Sequence, residues 1–467
     1  MKRKIYLLVI GLTLPLLLMG QSTDTTVLLS LSDCQQMAQQ NDPAIKNAQL
    51  EVLAAHAQRQ EALSHYFPNV SITALGLWSL HPMLKITLED ILGPSPFTTQ
   101  LQSLVNHFAP QLGINTRFEA LRYGYAAQLM ISQPLYAGGR IVTGNRLAHL
   151  GEQIAALQSI IQQRTSLETV QEKYNTILFL LEKEQTLQQL QELIDTLEGY
   201  IQTAVESGLK LKTDLLQTQL RQGEIQQGLN KLKQSIRLAK MDLFNLIGQD
   251  FTLLQTTNTH SAPHIDHIHL SPKFETPQPP STIYLPEEEI VNNLEEMELL
   301  NLSIVARTLE KRQTLGEALP QVVIGANYGY SQAIHGDLNG SAYAMIQIPL
   351  SDWGAVSQKV KRQDYLLQQA KNNKEYLAQQ LLLQIRQLWL EVTSSWDELI
   401  LAEENLTLAE KTWDDQNHHY QVGLITLAEL LQSQALLQQA KEAHLEAKIA
   451  YRNAVTTYTG RIRKKQP

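Results

Sequence analysis

Two pairs of landmarks stand at one fixed separation along this chain, and that constrains its fold more than any other feature. Residues 128–140 read QLMISQPLYAGGR and residues 343–355 read YAMIQIPLSDWGA, which places Pro134 and Pro349 215 residues apart. Further on, VESGLKLKTDLLQTQ (205–219) faces QVGLITLAELLQSQ (421–434), and Gly208 and Gly423 are again 215 apart. An internal repeat of this kind has to be read before any single element, because it sets the unit that is built twice. Each half opens alike, with Tyr66-Phe67-Pro68-Asn69-Val70 in the first and Leu319-Pro320-Gln321-Val322 in the second. The order in each half is helix, strand, strand, long helix, turn, helix.

The strands are read from alternation. Val70, Ile72, Ala74, Gly76 and Trp78 alternate with Asn69, Ser71 and Thr73, and Tyr125, Ala127, Leu129 and Ile131 alternate with Gly124, Gln128 and Ser132. In the second half Val322, Ile324, Ala326, Tyr328 and Tyr330 share a face, as do Ala342, Ala344, Ile346 and Ile348. The spacing predicts strands over 69–79, 123–134, 321–331 and 341–350. Each is about ten residues, the length a tilted strand needs to cross a bilayer, with Tyr and Trp near its ends. Four strands cannot close a barrel in one chain, and an open edge in lipid would leave backbone groups unpaired. Membrane strands would therefore require oligomerisation.

The predicted helices cover 31–66, 139–205 and 212–248 in the first repeat (21–250), then 287–318, 354–420 and 427–460 in the second (287–460). A helix over 139–205 would rise about 100 Å. Leu187, Leu190, Ile194, Leu197, Ile201 and Ala204 recur at spacings of three and four, and so do Ile225, Leu229, Leu232, Ile236, Ala239, Leu243 and Leu246. Leu399, Ala402, Leu406, Ala409, Trp413, Gln416 and Tyr420 keep that register with a less apolar set. This is coiled-coil spacing. Gly208 and Gly423 fall where such helices reverse. Residues 79–121 read as a long ordered loop, and the proline-rich 251–286 as a linker wrapped around the helices or partly disordered.

The ends indicate export. Lys2, Arg3 and Lys4 precede an apolar run from Ile5 to Met19, and small or polar residues follow, the plan of a signal peptide over 1–20. No later run is apolar enough for a membrane helix, which leaves a β-barrel open, because alternating strands give little hydropathy signal. The formal charge is −8 and becomes −11 without the three leading cations, which argues against nucleic acid as a partner. Cys34 is the single cysteine, so no internal disulfide is available. Residues 461–467 form a short basic tail.

With the repeat in view, the chain resembles the TolC family of outer membrane efflux proteins. The residues that carry the resemblance are Pro-Leu-Tyr-Ala-Gly-Gly-Arg (134–140), its echo Pro-Leu-Ser-Asp-Trp-Gly (349–354), Phe-Pro-Asn-Val (67–70) and Val-Gly-Leu-Ile-Thr-Leu-Ala-Glu-Leu (422–430). Ala137 departs from the acidic or amide residue often found there, and Trp353 replaces the first of two glycines. The resemblance implies a mainly α protein with transmembrane β: a homotrimer with four strands per chain in a twelve-stranded barrel, continued by a periplasmic coiled-coil tunnel. It implies an exit duct in the outer membrane that works with a periplasmic adaptor (membrane fusion protein) and an inner-membrane pump of RND or ABC type. Glu429 then falls at a periplasmic gate, with Gln432 and Asp214, the repeat counterpart of Glu429, as further gate positions. Gly208, Leu209, Gly423, Leu424, Ile425 and Thr426 are candidate adaptor contacts, because exposed apolar turn residues mark interaction sites. Pro134, Gly138, Gly139, Pro349 and Gly354 mark the barrel-to-helix swivel. In a trimer, three Glu429 carboxylates would favour cations and raise one another's pKa.

His260, His264, His267 and His269 have a spacing that could hold zinc or copper, but a proline-rich linker offers no helix to fix the geometry. No cofactor is implied. There is no P-loop, Gly-x-Ser-x-Gly, His-Glu-x-x-His or nucleophilic cysteine pattern, so nothing marks an enzyme. The competing readings are a periplasmic adaptor and an exported coiled-coil protein without a pore. An adaptor would carry one hairpin in a β-rich domain, whereas here each strand pair precedes its own hairpin.

Overall fold

The structure, a computed structural model, describes residues 27–80, 84–86, 91, 93, 95–108, 118–120, 123–251, 264–271, 277–332 and 337–462. The expected signal peptide, His260 and the tail cations Arg463, Lys464 and Lys465 lie outside the described residues. The chain forms two compact units. One comprises Met1–Pro43, Thr165–Tyr284 and Leu388–Gly460, the other Ala44–Arg164, Leu285–Gln387 and Arg461–Pro467. Each unit draws on both halves of the sequence repeat.

The second unit holds an antiparallel sheet of four strands, β2 (Asn69–Trp78), β5 (Tyr123–Ala137), β7 (Gln321–Ser331) and β8 (Leu338–Gln347), in the order β2-β5-β7-β8. β2 and β8 are its edges. The pairing Ile72↔Leu129↔Tyr328 and Ala74↔Ala127↔Tyr330 puts the alternating sets of the sequence on one side, Val70, Ile72, Ala74 and Trp78 beside Tyr125, Leu129 and Ile131 and beside Ile324, Tyr328 and Tyr330. Asn327 pairs with Ser341 and Thr73 with Gln128 on the other side. Both faces are open in the single chain: Ile72 is 77% exposed on one and Leu75 65% on the other. β5 runs to Ala137, past the expected end at Pro134, by a register shift between Pro134 and Tyr136 that passes over the missing proline N–H. β8 corrects the expected 341–350. It starts at Leu338 because Tyr330 pairs there, and it stops at Gln347 because β7 begins opposite at Gln321.

The single helices expected over 31–66 and 287–318 are each broken. The first divides into α1 (Leu31–Asn41) and α2 (Pro43–Ser64) at Asp42, whose ψ is 120°. Pro43 causes the break, since its ring excludes the preceding residue from helical geometry. The second divides into α6 (Glu287–Asn293) and α7 (Glu295–Leu315) at Leu294, with ψ 140°. Of the loop at 79–121, the described parts are the paired β3 (Leu84–Ile86) and β4 (Phe118–Ala120) and the helix α3 (Pro96–Phe108). The long helices are α4 (Arg140–Glu206), α5 (Lys212–Ile247), α8 (Ala355–Gln421) and α9 (Leu427–Ile462).

In the second unit α2 is tied to α4 by charge. Glu152 accepts from His56 Nδ1 and Arg59, each at 2.7 Å. These two bonds hold its carboxyl down at about 2, against an ordinary 4.5. A depressed folded-state pKa means that the stabilisation is fully present above pH 4.5 and is lost as pH falls through about 2. Glu152→Gln should therefore lower stability at neutral pH, flatten the profile in that window and leave the acid limit below it little changed. Identical acid titrations of variant and parent would remove the contribution.

The first unit has an apolar core around Cys34, Ala38, Tyr174, Ile177, Leu243, Phe244 and Ile247. The described part of the linker completes it. β6 (Ile268–Leu270) pairs in parallel with β1 (Val27–Leu29), and Ile265 and Ile268 are fully buried. Lys240 reaches through this core to donate to the carbonyls of Ile265 (3.3 Å) and Ile268 (2.7 Å), and burial lowers its pKa. The Tyr174 hydroxyl donates to the carbonyls of Leu29 and Ser271 at 3.2 and 2.9 Å. The linker thus wraps onto the helices where it is described. Farther along, Leu187, Leu190 and Ile194 of α4 pack on Ile225, Leu229, Leu232 and Ile236 of α5, the seam that the three-and-four spacing predicts.

Candidate functional site

The two helical turns lie side by side in the first unit. Each ends its helix on a glycine with positive φ, 72° at Gly208 and 77° at Gly423. Leu209 N–H donates to the Ala204 carbonyl at 2.8 Å, and Leu424 N–H to the His419 carbonyl at 2.9 Å, residues that are 215 apart in each case. Only a left-handed residue closes the helix end this way, which is why glycine stands at both positions. Behind the turns, Ile201, Tyr420, Leu427 and Leu430 form a buried cluster, with Val205, Leu215, Trp413 and Ile425 against it. Lys210 places its ammonium 4.5 Å from the Tyr420 ring centre, a cation–π contact joining one turn to the helix of the other.

The candidate adaptor residues divide by exposure. Leu209 (79%) and Leu424 (72%) stand out to solvent, while Ile425 turns inward onto the cluster. Leu211 (69%) and Val422 (70%) join the exposed apolar set and were not singled out from the sequence. Their flanking positions in VESGLKL and QVGLITL were the available signal.

Thr426 N–H donates to the Glu429 carboxylate at 2.7 Å, the Thr426 hydroxyl does so at 2.9 Å, and Glu429 N–H returns a bond to that hydroxyl at 3.3 Å. This is a capping box at the start of α9, announced by the Thr-x-x-Glu spacing. The two donations hold the Glu429 carboxyl below its ordinary range, opposite in sign to the mutual repulsion expected of three such groups in a trimer. Asp214, at the matching place in α5, follows Leu211, whose side chain makes no cap, and is half-buried. Burial first, and the Asp214 charge second, push the Tyr420 hydroxyl up from its ordinary value. Gln432 is exposed.

At the strand–helix junctions Gly138 and Gly139 have φ of 61° and 74°, and Trp353 and Gly354 have 53° and 82°. A Cβ on Gly138 would overlap the carbonyl oxygen of Gly316 at the end of α7. Trp353 takes a conformation that an L side chain disfavours, with its ring 99% exposed. Asp352, at the place of Ala137 in the first half, caps α8 by accepting from the N–H groups of Gly354 (3.0 Å) and Val356 (2.6 Å), which lowers its pKa. Pro134 lies at the β5 register shift, and Pro349 lies beyond the last pair of β8. Of the histidines, His264 accepts from Asp266 N–H at 3.3 Å, and its ring lies 5.6 Å from that of His267. His269 points outward between buried Ile268 and Leu270. Among the described residues no three His, Cys, Asp or Glu side chains come together as a metal site would require.

The profile of the outer membrane efflux protein family matches residues 35–249 and 310–459, most of the chain. The chain belongs to that family. The efflux protein's fold is shared by solved outer-membrane structures. A membrane protein from Pseudomonas aeruginosa superposes with a TM-score of 0.73 at 13% identity, covering 92% of this chain and 90% of that one. The CmeC outer membrane channel of Campylobacter jejuni gives 0.73 at 14%, covering 94% and 87%. The open-state MtrE outer membrane channel of Neisseria gonorrhoeae gives 0.68 at 12%, covering 92% and 88%. At such identities the likeness speaks for the fold. No curated protein matches the sequence. The efflux protein is thus an outer-membrane channel component, of a family of ducts rather than of enzymes, and the readings as an adaptor or as a coiled coil without a pore are set aside.

Proposed function

We propose that three copies of this efflux protein close a twelve-stranded barrel in the outer membrane. Their paired helices continue as a periplasmic duct, whose turns meet an adaptor and, through it, an inner-membrane pump of RND or ABC type. The observation that carries this reading is the four-stranded sheet whose edge strands β2 and β8 pair with no further strand among the described residues, with an apolar face and a more polar one. Such a sheet is unstable in lipid until its edges are joined, and one chain supplies half the strands of the smallest single-chain barrels. The exposed Leu209, Leu211, Val422 and Leu424 support the turns as the docking end. Glu429 lies in the first turn of α9, where three copies would place an acidic ring. Pro134, Gly138, Gly139, Pro349 and Gly354 form the swivel between strand and helix, and the sequence repeats are its two building units.

Light scattering on detergent-extracted protein, with the bound detergent subtracted, should give three times the mass of one mature chain. A monomer mass sinks the reading. Glu429→Lys should shift reversal potentials in asymmetric salt away from cation preference. Unchanged selectivity would take Glu429 out of the conducting path.

A further inference from the structure

The two halves of the sheet repeat each other pair by pair. The ladder from Asn69↔Ser132 to Trp78↔Tyr123 is matched by that from Gln321↔Gln347 to Tyr330↔Leu338. A shift of 252 positions carries β2 onto β7, and one of 215 carries β5 onto β8, through all ten pairs. Between the two hairpins lies the seam β5–β7, where Ile131 faces Ala326, Met130 faces Asn327, Leu129 faces Tyr328 and Ala127 faces Tyr330. The corresponding seam from β8 onward has no strand to meet among the described residues.

In the closed barrel proposed above, β8 meets β2 of a second copy; we infer that they meet in the register dictated by the repeat and that Trp353 wedges the helix end of this seam. The inference rests on the trimeric reading above. The two shifts place Ile346 opposite the partner's Ala74, Met345 opposite the partner's Leu75, Ala344 opposite the partner's Gly76 and Ala342 opposite the partner's Trp78. Faces agree throughout. Ile346, Ala344 and Ala342 lie on the apolar side through their pairing with Val322, Ile324 and Ala326, the side that β2 gives to Ala74, Gly76 and Trp78. A slip of one residue would set Ile346, Ala344 and Ala342 on the opposite face from Ala74, Gly76 and Trp78. Ile348 and Pro349, past the last pair with β7, gain the partner's Ile72 and Ser71.

The helix end of this seam cannot copy the seam inside the chain. There, Gly138 meets the Gly316 carbonyl and lies close to Leu319, so that a Cβ on either glycine would collide with the other's carbonyl. The same shifts put Trp353 at the place of Gly138, the partner's Ser64 at that of Gly316 and the partner's Phe67 at that of Leu319. Neither glycine remains, so this seam stands wider by a side chain. Trp353, 99% exposed in the single chain, fills the width, and Phe67, 68% exposed, offers a ring to receive it. Leu350, 93% exposed beside it, is covered by the same contact.

Cysteine pairs in the full-length protein test the register. Native Cys34 is buried with its thiol pushed up to about 12, so it stays silent under mild oxidant. Met345→Cys with Leu75→Cys, and Ala344→Cys with Gly76→Cys, are successive pairs, one of which has the close spacing a disulfide needs. Nothing stands within 4 Å of a Cβ on Gly76. The matched pairs should yield covalent dimers and trimers, and Met345→Cys with Thr73→Cys, two residues out of register, should yield none. Trimers by mass in which the shifted pair cross-links, or no matched pair does, overturn the register but not the trimer. A monomer by mass overturns both. Trp353→Ala should lower the temperature at which the trimer dissociates on gels while leaving far-UV dichroism unchanged, with partial rescue by Trp353→Phe. An unchanged dissociation temperature overturns the wedge.

Discussion

Gly138→Ala should destabilise the efflux protein by about 2–5 kcal/mol, the sum of forcing an L side chain into left-handed geometry and overfilling a packed site. Gly138 has φ of 61°, and its missing side chain is what lets the end of β5 pass over Gly316. The neighbouring Gly139 is the internal control. Its φ is 74°, but nothing lies within 4 Å of a Cβ there, so Gly139→Ala carries only the backbone cost of about 1–2 kcal/mol. Thermal unfolding in detergent, with the yield of folded membrane-extracted protein, should rank the parent above Gly139→Ala and Gly139→Ala above Gly138→Ala. Equal midpoints for the two variants would show that the close approach to Gly316 does not matter.

Phe244→Ala should cost about 3–5 kcal/mol, the usual range for a buried aromatic. Phe244 is fully buried against Cys34, Tyr174 and the linker residues Ile265 and Ile268, with the Phe251 ring 5.9 Å away. Removing it opens the place where β1 and β6 close over the helices. Cys34 reports on that opening directly. Burial first, and the Asp33 charge second, push its thiol up to about 12, so it reacts only when the core opens. A loss of 3 kcal/mol raises the open population, and with it the labelling rate by a thiol reagent, by about 100-fold. A labelling rate equal to that of the parent would mean that the linker does not depend on this core.

Much of the fold follows from short-range patterns that sequence carries well. Alternation in NVSITALGLW marks β2, and spacings of three and four from Leu187 to Ile201 mark the α4 seam. Gly208 and Gly423 stand where only glycine closes the helix end so cheaply. What escaped was long-range or set by partners. β1 and β6 are three residues each, too short to alternate, and pair across 241 positions. The break at Leu294 has neither proline nor glycine to announce it, whereas the one at Asp42 is announced by Asn-Asp-Pro, which the reading of 31–66 as one helix passed over. The limits of β8 depend on where β7 begins. At the turns, Thr426-Leu427-Ala428-Glu429 spells a capping box, a local role that the reading of Glu429 as a gate residue passed over.

Single-channel recording in a planar lipid bilayer tests the central claim most directly. Protein extracted from membranes and reconstituted without any partner should insert to give discrete conductance steps of uniform size. Protein that enters the bilayer yet leaves the current at the level of bare lipid would contradict the account of this chain as one wall of an efflux duct.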